Sequence, residues 1–485
     1  MRLRTVSLKN FRCFESLEVE LHPRLTVFVG ENGGGKTAIL DAIAIALSPV
    51  LRHFSSANQR LAGPGIKDTD FRIESWTGRG GKDRWGATEY AQIVAETTDG
   101  LRWDHWRASA PGKQPAIKVG WSDLATFAED VLNSLKTAAP SLMPVFGYYG
   151  AQRGRIEIPE RLRSSKEDYT QPTAAFVGAL DALSDFRSML QWFDWMEAGE
   201  LRANKGIAPD EFEETPGLAI VRATIREILG GAYRNPHFNA EHKFVLEPPT
   251  GVGTLQVSQL SQGYQSMLTL SMDFARRLAI ANSHLTYADD ASREEILRLL
   301  NLHSGPKEVF DLTRIPEAPA MCAPGIMLVD EIDLHLHPSW QQRVLSDLMR
   351  AFPATQFIVT THSPQVLTSV DASCIRLLRQ QADPEAGRQQ TVIEGVTMQT
   401  RGVASSDLLA QIMGVDPIPD VPEARLLSDY HALIQQNLHQ DLAGQAVRTR
   451  LETHFGTDHP VMRECDRMIR LQMFKQRLPV TNGGA

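Results

Sequence analysis

The chain has 485 residues, 42% hydrophobic and 22% charged, a globular composition with length enough for two or three domains. A formal net charge of -8 excludes a uniformly basic coat for nucleic acid, so any such contact falls to local basic patches. Four cysteines without CxxC spacing, Cys13, Cys322, Cys374 and Cys465, give no metal framework and are expected as small buried hydrophobes in a reducing compartment.

The N-terminal MRLRTVSLKNFR has no apolar leader, and no uncharged apolar run reaches the roughly 18 residues of a membrane span. A cytoplasmic protein is therefore expected. Residues 2–8 and 17–21 alternate as strands do, and Leu25 to Val29 is a compact apolar strand ending at Gly30. From Lys36, the spacing of Ile39, Leu40, Ile43 and Leu47 predicts a helix that Ser48-Pro49 stops. Residues 55–120 carry short alternating pieces that suggest an antiparallel subsheet, and 142–154 read as a buried strand entering a glycine-bearing turn. Helical pattern dominates 172–230, as a lid on the sheet; a hairpin-like stretch covers 242–258, and a long helix starts near Ser261. Residues 284–324 form an inserted segment, with a capping box of Ser292 and Glu295 and a proline-rich linker, PEAPAMCAPG. GIMLV (325–329) and QFIVT (356–360), with a helical stretch between them, have the βαβ pattern of a parallel sheet. Beyond the proline-rich break at 416–424, Leu426, Leu427, Tyr430, Leu433 and Ile434 share one amphipathic face, and Pro460 opens a helix with Met462, Cys465 and Ile469 inward.

The chemistry is concentrated in GENGGGKTAIL, residues 30–40. Glycines crowd together where backbone amides must converge on one anion. The spacing Gly30-x4-Gly35-Lys36-Thr37 fits a P-loop between strand and helix: amides of Asn32, Gly33, Gly34 and Gly35 and the helix start cradle a triphosphate, Lys36 adds charge, and Thr37 holds magnesium. An acidic partner should end a neighbouring buried strand. GIMLVDE supplies it, with Asp330 as the metal carboxylate and Glu331 placed to polarise the attacking water.

LSQGYQ (260–265) resembles the LSxGxQ signature of ABC-type ATPases, which implies that Ser261, Gln262 and Gly263 reach the γ-phosphate held by a second subunit. His362 in IVTTHSPQ resembles the switch histidine of that superfamily, which contacts the γ-phosphate and the attacking water. Gln152 in YYGAQRG is similar to a Q-loop glutamine that reaches magnesium and water, and Asp333 in DEIDLHLHP resembles the D-loop residue at the dimer interface. His335 and His337 of that stretch, without a third ligand nearby, are expected to be structural. NFRCF (10–14) resembles the NFR motif of SMC and RecF-like ATPases, implying that Arg12 approaches the nucleotide.

DLHLHP is typical of the SMC, RecF and OLD-like branch. Without long heptad arms before LSQGYQ, and without a DxD pair past His362, SMC arms and an OLD-type Toprim nuclease are disfavoured. RGVASSDLLAQIMGVD (401–416), ahead of a short helical C-terminus, resembles the PtuA ATPases of Septu and retron-linked anti-phage systems. The resemblance implies an α/β fold: an ABC-type P-loop ATPase head with mixed and parallel sheets, a helical lid subdomain and a short helical C-terminal domain. The expected segments are 1–165 and 325–400 for the two ATPase lobes, 166–283 for the lid and signature helix, 284–324 for the insertion and 401–485 for assembly or partner binding. It further implies ATP and Mg2+, self-association as a head-to-tail dimer or higher oligomer, an HNH nuclease partner of the PtuB kind, and, in retron versions, a reverse transcriptase with its RNA–DNA product. No membrane partner is implied. Two alternatives stay open: a RecF-like DNA repair ATPase, with basic residues of 79–118 and 153–166 lining a groove, and a nucleotide-gated scaffold with little hydrolysis.

Overall fold

The computed structural model describes residues 1–55, 59–77, 83–137, 140–154, 168–183, 186–249, 253–285, 318–383 and 388–477. The Ser292–Glu295 capping box and most of the expected insertion lie outside the described residues, as do 155–166 of the second basic segment. The chain forms two compact units, Met1–Leu408 and Leu409–Ala485.

The first unit opens with β1 (Leu3–Phe11) antiparallel to β2 (Phe14–Glu20). Next, β3 (Leu25–Gly30) enters a different sheet and α1 (Lys36–His53) follows it. After a hairpin of β4 (Ile73–Thr77) and β5 (Asp83–Ala87), β6 (Tyr90–Thr97) and β7 (Arg102–Ala108) complete a sheet of order β2-β1-β6-β7. Strict alternation would put Leu3 on the face opposite Val6 and Leu8. A register shift between Leu3 and Thr5 in the pairing with β6 leaves all three buried.

The helix α2 (Ser122–Ser134) leads to β8 (Val145–Tyr149). Then come α3 (Phe186–Ala203), α4 (Pro216–Ile228), a small sheet of β9 (Arg234–Phe238), β10 (Phe244–Glu247) and β11 (Leu255–Gln256), and the long α5 (Gln262–Ala281). In the described part of the expected linker, Ala318, Met321, Cys322 and Ala323 are buried, and the turn Pro319–Cys322 packs against α4 and α5. Then β12 (Gly325–Val329), α6 (Pro338–Gln341), α7 (Val344–Ala351), β13 (Thr355–Thr360), α8 (Pro364–Leu367) and the hairpin of β14 (Ile375–Asp383) and β15 (Arg388–Gly395) follow, with α9 (Ser405–Gln411) after them.

The central sheet has the order β15-β14-β3-β13-β12-β8. All its pairings are parallel except that of the edge strand β15 with β14. Its strands β3, β8, β12 and β13 are buried almost end to end, as in sheets covered on both faces. α1 packs against strands of both sheets, and the Trp103 indole N–H donates to the Ala46 carbonyl at 2.6 Å. The proline stop does not hold. Pro49 lies inside α1, which continues to His53 because Val50 and Leu51 are fully buried, and the Ser48 hydroxyl bonds the carbonyl of Pro64 at 2.6 Å.

The second unit contains α10 (Pro422–Gln435), α11 (Leu442–Phe455) and α12 (Pro460–Arg477) around Tyr430, Ile434, Leu451, Met462 and Cys465. Among the described residues no helix is long and apolar enough to cross a membrane.

Candidate nucleotide site

The P-loop, the acidic pair and His362 follow the ends of the parallel strands β3, β12 and β13. Gly35 is the hinge of the P-loop: its φ is 95°, and a Cβ there would come 2.5 Å from the Phe14 ring, so both backbone and space demand glycine. It caps α1, whose first residue, Lys36, is only 6% exposed. The Lys36 ammonium donates to the carbonyls of Gly30 (2.9 Å) and Glu31 (2.8 Å). Burial lowers its pKa, against the pull of Asp330, Glu331 and Asp333.

β13 lies between β3 and β12, so it can serve both the P-loop and the acidic pair. Thr37 Oγ donates to one Asp330 oxygen at 2.9 Å, joining residues 293 apart in sequence. Thr360, at the end of β13, donates to the other Asp330 oxygen at 2.6 Å and accepts the Glu331 N–H at 2.7 Å. Thr37 and Asp330 thus present the hydroxyl and carboxylate oxygens that a hard divalent cation takes. Glu331 has a φ of 49°, a left-handed conformation uncommon for a residue with a Cβ.

The loop after β13 is tied to the one after β12. The Thr361 hydroxyl donates to Asp333 at 2.5 Å, and the His362 N–H reaches the same oxygen at 3.4 Å. Burial and then Lys36 lower the His362 pKa, although three carboxylates raise it, which favours a neutral imidazole. Gln341 donates to the Leu336 carbonyl (2.9 Å) and accepts from Ser363 Oγ (2.7 Å), bracing one loop on the other. His337 is structural: its Nδ1 caps α6 by accepting the Ser339 N–H at 3.3 Å. Among the described residues, no group of three or more His, Cys, Asp or Glu could hold a metal ion.

The start of α5 has a different character. Ser261 is its N-cap, yet its hydroxyl makes no capping bond, and Ser261 and Gln262 are exposed. Gly263 is buried, and a Cβ there would come 2.7 Å from the His335 carbonyl oxygen, so glycine lets this helix start touch the loop after β12. Tyr264 packs edge-on against Trp340 with ring centres 4.6 Å apart. Farther along, the buried Asp273 accepts from Arg276 (2.7 Å), Arg277 (2.7 Å) and the Tyr149 hydroxyl (2.9 Å), which fixes α5 to β8. Burial of that carboxylate works against its charge, but the two guanidinium groups hold its pKa below the ordinary range.

The remaining expected residues are less centrally placed. Gln152 is exposed in the turn after β8, and its neighbour Arg153 is the buried one. Arg153 donates to the main-chain oxygens of Asp330 and Glu331; burial draws its pKa down to about 10, so it stays charged at neutral pH. The Arg12 guanidinium is engaged by Asp41 (2.6 Å) and Asp70 (2.8 Å), and Asp41 also accepts the Tyr148 hydroxyl at 2.7 Å. Cys13 corrects the expectation for the cysteines: it is exposed, whereas Cys322, Cys374 and Cys465 are buried. It occupies the turn between β1 and β2, beside Gly35, where its side chain has no core to enter. Sequence reasoning missed Thr360, Asp41 and Arg153. The short TT and QR pairs beside His362 and Gln152 were the only signal for the first and last.

Comparison with known proteins gives a consistent picture. A family model described as an AAA domain matches residues 5–194, and a second, described as an AAA domain of candidate AbiEii toxins in type IV TA systems, matches 210–368. The probable ATPase of retron Ec83 from Escherichia coli is 25% identical, over 96% of this chain and 86% of that protein. The probable ATPase of retron Vc95 from Vibrio cholerae is also 25% identical, over 78% of this chain and 74% of its own length. The Septu protein PtuA of Bacillus mycoides is 35% identical over a shorter stretch, 23% of this chain and 15% of the relative.

Proposed function

We propose that the chain is an ABC-type ATPase of the SMC- and RecF-like branch that acts in anti-phage defence, closing ATP between two copies of itself to control a separate HNH nuclease of the PtuB kind. The observation that carries the chemistry is the 2.9 Å hydrogen bond from Thr37 to Asp330, which joins the phosphate loop to the acidic strand end.

In this reading the amides of Asn32 to Gly35 and the Lys36 ammonium neutralise the triphosphate. Thr37 and Asp330 hold magnesium, with Gln152 as a third oxygen donor. When bound, the cation supplies charge neutralisation on the β- and γ-oxygens. Glu331 orients and polarises the attacking water, and neutral His362 faces the terminal phosphate. Ser261, Gln262 and Gly263 of a second copy close the site from across the dimer, with Asp333 at the same seam. Arg12 steadies α1 through Asp41, five residues beyond Lys36.

The likeness to retron ATPases and to a Septu protein supports a place in a defence complex; the nuclease, and a reverse transcriptase with its RNA–DNA product, follow from the family resemblance of the motifs. The test combines two measurements. Phosphate release by the purified chain should require magnesium and stop on chelation. Purification from cells carrying the intact gene neighbourhood should recover an HNH nuclease with it. Turnover without any recovered nuclease would leave the ATPase standing and remove the defence partner.

A further inference from the structure

Arg153 has no role in the expected nucleotide contacts, yet it is one of the most deeply placed charges at the site, 3% exposed. Its guanidinium donates to three main-chain oxygens: that of Gly150 at 3.3 Å, that of Asp330, and that of Glu331 at 2.6 Å. The last two belong to the point where β12 ends and the acidic pair begins. Glu331 holds a φ of 49° there, a conformation that persists only when the surroundings impose it. Two groups hold the backbone of Glu331. Thr360 takes the Glu331 N–H, and Arg153 takes the Glu331 carbonyl. A planar fork of N–H groups can hold two successive carbonyls in fixed directions, which a point charge on a flexible stem cannot do.

We propose that Arg153 is a positioning residue for ATP hydrolysis: its guanidinium clamps the Asp330 and Glu331 carbonyls and thereby aims the Glu331 carboxylate at the attacking water. The inference rests on Glu331 as the residue that polarises that water. Because Arg153 follows Gln152 in the turn after β8, the clamp also ties the position of that turn to the readiness of the acid.

The test uses the full-length chain, with phosphate release at saturating ATP and binding of a fluorescent ATP analogue. In Arg153→Lys, kcat should fall roughly 10- to 100-fold, the size expected for a misplaced reacting group. KM for ATP should stay within about twofold, because binding is not what the clamp supplies. In Arg153→Ala, added guanidinium or methylguanidinium at millimolar concentration should restore part of the turnover, which a role confined to folding would not allow. Glu331→Gln alone should lower turnover by about 10²- to 10⁴-fold, and adding Arg153→Lys to it should cost little of the residual rate, since the two act as one unit.

If Glu331→Gln keeps its turnover, the assignment of the acid fails whatever Arg153 does. If Glu331→Gln is inert while Arg153→Lys matches the unchanged chain, the clamp is wrong. It is equally overturned if both Arg153 variants lose ATP binding and fold together, or if guanidinium rescues nothing.

Discussion

The floor of the nucleotide site and the start of α5 treat their polar groups in opposite ways. On the floor, Thr37, Asp330, Thr360, Glu331 and Arg153 form one chain of hydrogen bonds, and both Asp330 oxygens have partners. At the start of α5, an exposed N-cap serine leaves its hydroxyl unspent, although a serine there ordinarily caps its own helix. The contrast separates two kinds of surface: the floor is tied together within one chain, and the helix start presents an exposed serine hydroxyl, as the proposed closure by a second copy requires. Gly263 makes the second surface possible, because only glycine lets α5 begin against the His335 carbonyl.

Three substitutions can break or sharpen this contrast. Glu331→Gln has the largest expected effect, a loss of turnover of about 10²- to 10⁴-fold with ATP binding intact, as for removal of a group that handles the reacting proton. Phosphate release and analogue binding measured on one preparation check it; equal loss of both would mean that the residue holds the fold and not the water. Gly263→Ala comes next. Its methyl group meets a backbone oxygen that cannot swing aside, so the helix start must shift, and a displacement of this kind costs on the order of 100-fold in turnover. Binding of the analogue to dilute protein should be unaffected, because the P-loop is not touched. The smallest effect is expected for Ser261→Ala, about tenfold in turnover, the worth of one hydrogen bond to a charged group. Its signature is a steeper dependence of specific activity on protein concentration, read from a dilution series.

Much of this site was legible in the sequence because phosphate binding restricts both residue type and spacing. Gly35, Lys36 and Thr37 can be spaced in only a few ways, and an acid after a buried strand has only one end of the sheet to occupy. The order of the central sheet was less legible. Parallel strands were expected, but placing β13 between β3 and β12, which gives Thr360 its two partners, is a matter of topology that no local pattern encodes. Arg153 was hidden for a related reason: it looks like a surface arginine until β8 and β12 pair and turn it inward. Pro49 misled because a proline stop is a local rule, and burial of the next turn outweighed it. The hairpin of β14 and β15 went unread, since its Arg- and Gln-rich strands carry little hydrophobic alternation. In the second unit α11 left almost no trace, with Gly444 and Leu451 its only buried residues.

The most direct measurement of a site shared between copies mixes two full-length variants that are each inert. Glu331→Gln keeps its helix start and lacks the acid; Ser261→Asp keeps the acid and places a like charge opposite the terminal phosphate. In a head-to-tail dimer, half of the randomly mixed pairs carry one intact composite site, so equimolar mixing should restore about a quarter of the unchanged chain's turnover. No recovery at any mixing ratio, with both variants folded and binding ATP, would contradict hydrolysis between two chains.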